Sequence, residues 1–217
     1  MFIVYIFILL LIMTLVSFVV KRSAHKVATV ESVIILFLTS IYAYLRFYSY
    51  AGGMMSVASF PIDTSIGISF LVGVTPVSLA LLFLTTVIMA MAIFVSGRES
   101  YDRRFYGLMM ATEAGLYGLL ISRNFLFFYV FWEAIIIPVF LLIALFGGKN
   151  REMASLKFFV YTQLGSVFLL LFLSLMSADF IFLGATLLGA IELLVYVGAI
   201  TALLVFTVMI TGGREFE

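Results

Sequence analysis

Seven stretches of this chain are apolar for long enough to cross a lipid bilayer: roughly residues 2–20, 28–48, 74–96, 105–122, 124–147, 156–176 and 186–210. About 20 residues of α-helix span the hydrocarbon core. In that medium every backbone N–H and C=O must be satisfied internally, so runs of this length are expected to be helices. The fold class follows: all-α, a polytopic transmembrane bundle of about seven helices. Composition agrees. The chain is 65% hydrophobic and 11% charged, with a mean hydropathy of +1.29. A soluble domain carries about a quarter charged residues, and this chain has too few to clothe a soluble globule. The multi-pass chain is expected in the cell inner (plasma) membrane, with the lipid bilayer as its first partner.

The first apolar run has the length of a secretory leader, but it lacks a basic stretch before it and a small-residue cleavage site after it. It is expected to be a retained helix. Orientation is written in the loops. Lys21, Arg22 and Lys26 follow the first run; Arg98, Arg103 and Arg104 follow the third; Lys149, Arg151 and Lys157 follow the fifth; Arg214 follows the seventh. The opposite set of connections holds Arg46 and Arg123. Basic residues favour the cytoplasmic side, which places the N-terminus outside and the C-terminus in the cytoplasm. Only Ser122-Arg123-Asn124 separates the fourth and fifth runs, so a tight helical hairpin is expected there. The longest connection, about residues 49–73, mixes β-branched, aromatic and turn residues around Pro61, as a short β-hairpin or an interfacial segment would.

Several function classes drop out. A net charge of +1 offers no basic surface for nucleic acid. There is no cysteine, and the single histidine, His25, is expected in a polar loop among Lys21, Arg22 and Lys26, so neither a metal site nor a histidine-ligated haem is expected. No Ser/His/Asp or Cys/His set for nucleophilic catalysis can be drawn. Gly147-Gly148 and Gly212-Gly213 close helices rather than follow strands, which argues against a phosphate loop. Gly184, Gly189 and Gly198 suit close helix packing.

What remains is a set of acids in apolar surroundings. Glu113 lies in the middle of the fourth run, Glu133 well inside the fifth, and Glu192 in the seventh; the other acids are assigned to loops. A charged side chain at a helix centre costs about 2.5–3.5 kcal/mol on insertion scales. Such carboxylates face a bundle interior or a water cavity and commonly mark ion routes. Pro138 stands five residues after Glu133, lacks an N–H for the carbonyl of Ala134, and is expected to kink the helix there. A carboxylate that both gains and loses a proton can relay one. The alternative is a protonated acid acting as hydrogen-bonding glue between helices. Lys157 either snorkels to the interface or pairs with an intramembrane carboxylate. The candidate relay set is thus Glu133, Glu113, Glu192 and Lys157.

Two blocks resemble known families. Phe125-Leu126-Phe127-Phe128-Tyr129-Val130-Phe131-Trp132-Glu133 followed by Ile137-Pro138 resembles the fifth-helix signature of the M-type antiporter-like subunit of complex I. The likeness continues through Leu145-Phe146-Gly147-Gly148 and Lys157 to Ser166, and is carried upstream by Ile66 to Phe70 and by Gly73 to Leu79, where Thr75-Pro76 replaces the usual Asp-Gly. It covers about residues 1–170. Beyond it, Gly189-Ala190-Ile191-Glu192-Leu193-Leu194-Val195-Tyr196-Val197-Gly198-Ala199-Ile200 resembles a helix of the J-type subunit, over about residues 172–211. The resemblance implies two segments, 1–170 and 171–217. It also implies Glu133 as a relay glutamate and a helix bulge at Tyr196 and Gly198. On this reading the chain is a membrane subunit, or part of one, in a complex I-like NADH:quinone oxidoreductase or related hydrogenase complex, moving protons or sodium. Its partners would be other membrane subunits; quinone, flavin and iron–sulfur clusters would sit in those subunits and not in this chain. A structural subunit with no conducting role, and an inactive fusion fragment, are the other readings.

Overall fold

A computed structural model describes residues 2–20, 24–48, 56–63, 68–98 and 101–182. Six helices and one hairpin are laid out in the order α1 (Phe2–Val19), α2 (Ala24–Tyr48), β1 (Ser56–Asp63), β2 (Ile68–Val74), α3 (Pro76–Ser96), α4 (Arg103–Ile121), α5 (Phe125–Phe146) and α6 (Arg151–Phe182). These match the first six apolar runs; the seventh run lies outside the described residues. Met1–Thr162 forms one compact unit and Gln163–Glu217 another. Among the described residues, α1, α2, α3 and α5 have the length and apolarity to cross a membrane, and the chain is a multi-pass membrane protein.

In the first unit α4 is the hub. It packs against α1, α2, α3 and α5. Eleven of its 19 residues are buried, on every side of the helix. This explains how a helix carrying Arg103, Arg104 and Glu113 belongs in an apolar bundle: its neighbours, rather than lipid, solvate it. The outer helices are one-sided. In α1 the buried residues Ile3, Ile6, Phe7, Leu10, Thr14 and Ser17 recur every three or four positions, as a helix with one protein-facing stripe requires. Tyr5, Ile8, Ile12, Leu15 and Val19 stand exposed on its other side.

Glycines on α4 set how near its neighbours come. A Cβ added at Gly115 would stand 2.6 Å from Cγ1 of Ile135, and one at Gly118 would stand 2.5 Å from Cε1 of Phe131. At Gly107 the obstacle is the ring of Phe18, 2.6 Å away. Small residues at a membrane helix crossing permit this close approach.

Of the two forms expected for the connection between α2 and α3, the β-hairpin is present, with β1 and β2 antiparallel. It stitches down the turn between α4 and α5. The Arg123 N–H donates to the carbonyl of Leu71 at 2.8 Å, and Asn124 Nδ2 donates to the carbonyl of Ser69 at 3.2 Å. Asn124 also caps α5, its Oδ1 accepting from the Leu126 N–H at 2.9 Å. Thr75-Pro76, the departure from the antiporter-like pattern, makes a good helix start. Thr75 and Ser78 form a reciprocal capping box at the head of α3, and Pro76 occupies the first turn.

His25 corrects the sequence reading. It belongs to the first turn of α2 rather than to a polar loop, and its Nε2 lies 3.1 Å from the carbonyl of Ile93 on α3. The Ile93 carbonyl, in the last turn of α3 where backbone donors run out, also accepts from the Ser96 hydroxyl at 2.7 Å, so the imidazole is its second partner. The ring also packs against Tyr106 of α4, with centroids 5.5 Å apart.

Candidate functional site

Glu113 sits 10 residues into α4 and is completely buried. Neither of its carboxylate oxygens has a hydrogen-bond partner among the described residues. An ionised carboxylate in that state is costly, because it has lost water and gained nothing in return. One helical turn on, Tyr117 is also fully buried. Its hydroxyl lies 3.3 Å from Oγ1 of Thr39 on α2 and within electrostatic reach of Glu113 and Tyr42. The Tyr117 ring stacks on Phe7 of α1, centroids 6.4 Å apart. Glu113 and Tyr117 are thus aimed at the α1–α2 side of α4, since Gly115, two residues and about 200° away, faces α5.

A fourth intramembrane acid lies on this same side. Glu31, in the second turn of α2, is only 5% exposed and accepts a hydrogen bond at Oε2 from the hydroxyl of Ser17 on α1. The sequence reading counted it with the loop acids, although it falls inside the run 28–48. One signal was available. Glu31, Ile35, Thr39 and Tyr42 recur at spacings of four, four and three, a single helix face, and all four are buried. Beyond them the Arg46 guanidinium lies over the Tyr42 ring, 5.6 Å from its centroid.

Glu133 occupies a different place. It is partly buried on α5 and accepts a 2.6 Å hydrogen bond from the Tyr129 hydroxyl, one turn earlier on the same helix. Phe131 and Ile135, the residues that meet the α4 glycines, flank it in sequence. A two-residue step turns about 200° around a helix, so Glu133 points away from α4 and from Glu113. Phe140, at about 700° or nearly two full turns from Glu133 and so on the same side, packs on Phe159 of α6 with centroids 5.2 Å apart. Near its C-terminal end, then, the side of α5 that carries Glu133 meets Phe159. Pro138 is buried within α5, which runs unbroken from Phe125 to Phe146.

The relay set named from sequence is accordingly dispersed. Glu113 and Glu133 lie on separate faces, and Lys157 is exposed on α6 with no ion pair among the described residues. The salt bridge among those residues joins Arg104 and Asp102 at the head of α4, 3.8 Å apart and open to solvent. Glu192, Tyr196 and Gly198 lie outside the described residues.

Comparison with known proteins adds a family direction. Residues 122–213 match the family described as NADH:quinone oxidoreductase/Mrp antiporter, TM. That match runs through the segment whose sequence resembles the J-type subunit, and the J-type likeness gains no support from it. The chain is 35% identical over 134 residues to F(420)H(2) dehydrogenase subunit M of Methanosarcina mazei, an alignment covering 61% of this chain and 27% of that protein. It is 35% identical over 144 residues to NADH-quinone oxidoreductase subunit M of Rickettsia conorii, covering 65% and 29%. In structure it resembles a chain of respiratory complex I from Thermus thermophilus, with a TM-score of 0.69 and 26% identity over 83% of this chain and 36% of that one. The chain spans less than a third of the length of these two curated relatives.

Proposed function

We propose that this chain is an antiporter-like membrane subunit, or part of one, of a complex I-like or hydrogenase-type redox assembly in the cell inner membrane. Its N-terminus lies outside, and it contributes to proton or sodium translocation through intramembrane carboxylates. The observation that carries this reading is the placement of Glu133. It lies in the Phe-Trp-Glu…Pro block within the family-matched residues 122–213, partly buried on a membrane-spanning helix and hydrogen-bonded within its own helix to Tyr129. A glutamate acting as glue would spend its hydrogen bond on another helix. Here the donor is on α5 itself, so the bond orients the carboxyl without tying helices together. Glu113 is buried and makes no interhelical hydrogen bond among the described residues.

Other membrane subunits complete the assembly in this proposal, and quinone, flavin and iron–sulfur clusters reside there. Glu192, with Tyr196 and Gly198, extends the carboxylate route, and Lys157 serves it from α6. Residues 171–217 would then continue the antiporter-type segment or form a J-like helix joined to it. Purification of the chain from its native membrane, with mass-spectrometric identification of what accompanies it, tests the assembly. Quinone-reductase or hydrogenase-type subunits are expected. Recovery without any redox subunit, under conditions that preserve membrane complexes, would contradict the proposal.

A further inference from the structure

We infer that Glu31 is the group through which Glu113 exchanges its proton, so that Ser17, Glu31 and Glu113 form a proton path inside the α1–α2–α4 interface, separate from Glu133. This deepens the relay reading of Glu113 and adds two residues to it. The geometry begins at the start of α2 and α4, which lie on the same side of the bundle because each follows a short connection from a helix running the other way. Glu31 is seven residues into α2 and Glu113 ten into α4. At 1.5 Å per residue their depths are about 10 and 15 Å. The helices are in contact, which places their axes about 8–10 Å apart. Both carboxyls are turned to the same interface: Glu31 by its bond to Ser17 of α1, Glu113 by its neighbour Tyr117, which touches Phe7 of α1 and Thr39 of α2. Two glutamate side chains and about one water bridge such a gap.

Few other ionisable groups compete. On α1 the remaining one is Tyr5, which is exposed, and α3 has none between Pro76 and Ser96. On α2, His25 is engaged with the Ile93 carbonyl, Lys26 is exposed, and Tyr42, about three turns beyond Glu31 on the same face, carries the Arg46 guanidinium over its ring. On α4, Tyr106 packs against His25, and Arg103 reaches the Val19 carbonyl at the end of α1. Buried beside Glu113, Tyr117 is held by Thr39. The transfer balances simply. The carboxyl O–H of Glu31 gives its proton to the bridging water, and that water passes one of its own to the Glu113 carboxylate. Ser17 then donates its hydrogen bond to the Glu31 carboxylate left behind.

The test is hydrogen–deuterium exchange of the Glu113 carboxyl, followed by infrared spectroscopy on the full chain in lipid nanodiscs after transfer to heavy water. The band is assigned by its loss in Glu113→Gln. Glu31→Gln, which keeps the shape and still accepts from Ser17, is expected to slow deuteration of Glu113 by about tenfold or more, because the proton loses its host on the way in. Ser17→Ala should slow it less, and guards against a Glu31 variant that fails to fold. Glu133→Gln should leave the rate unchanged. An unaltered rate in folded Glu31→Gln or Ser17→Ala chains, with stability alone reduced, would overturn the inference and leave Glu31 as glue between α1 and α2. So would a wild-type chain lacking a Glu113 carboxyl band. Loss or retention of ion flux through Glu133 bears on the relay reading and not on this rate, so either can fail alone.

Discussion

Replacing Gly118 by alanine puts one methyl group into the tightest part of the α4–α5 crossing. The new Cβ would stand 2.5 Å from Cε1 of Phe131 and 2.6 Å from its Cδ1. The ring sits edge-on to Phe7 at 5.5 Å and beside Phe70 at 6.1 Å, so moving it aside disturbs both contacts. Overpacking of this kind costs about 1–3 kcal/mol, against about 1 kcal/mol regained because alanine favours a helix more than glycine does. The net expectation is a loss of up to about 2 kcal/mol. Phe131→Leu removes the obstacle, at its own cost in lost packing. In the double variant the two costs should fall short of their sum by at least about 0.5 kcal/mol, since the residues share one contact. Denaturant unfolding in detergent micelles, followed by helical circular dichroism, measures all four corners of the cycle. Strictly additive costs, or a Gly118→Ala chain stabilised by the full helix preference, would refute the close crossing. They would also remove the reason that Phe131 and Ile135 face α4 while Glu133 faces away.

Other expectations are equally specific. Asn124→Ala removes both the cap of α5 and the tether to Ser69 and should cost about 1–2 kcal/mol in the same unfolding assay. A cysteine at Arg123 should react with an impermeant thiol reagent from outside the cell, and one at Lys149 only after permeabilisation; the reverse pattern would invert the proposed orientation. The chain alone in liposomes under an imposed pH gradient should conduct no Glu133-dependent proton flux, because Glu133 and Glu113 lie on separate faces of their helices. A pH-sensitive dye trapped inside the vesicles reads this out.

The spans were legible because apolar length is a strong constraint in a membrane, and the first six runs correspond to α1 to α6. Asn124 and Asp102, each before an apolar run, are ordinary helix starts, and both cap as such. The hairpin was legible from its β-branched residues and Pro61. Glu31 was not, because counting apolar residues along a run says nothing about faces, and an acid three residues into the run 28–48 was counted with the loop acids. That partner, Ser17, is 14 positions away on another helix. His25 was misjudged for a similar reason: its basic neighbours in sequence suggested solvent, while its acceptor, the Ile93 carbonyl, is 68 residues distant. The opposed directions of Glu113 and Glu133 depend on which side of α5 meets the α4 glycines, and no single-helix pattern states that.

Proton movement by the native assembly containing this chain, compared between wild type and Glu133→Gln at equal rates of electron input, bears most directly on the proposed role. Gln keeps the size of the side chain and can still accept from the Tyr129 hydroxyl, but it cannot carry a proton as a carboxyl does. Fewer protons moved per electron are expected in the variant, with the assembly intact by native electrophoresis. An unchanged ratio in an intact assembly would contradict a relay role for Glu133.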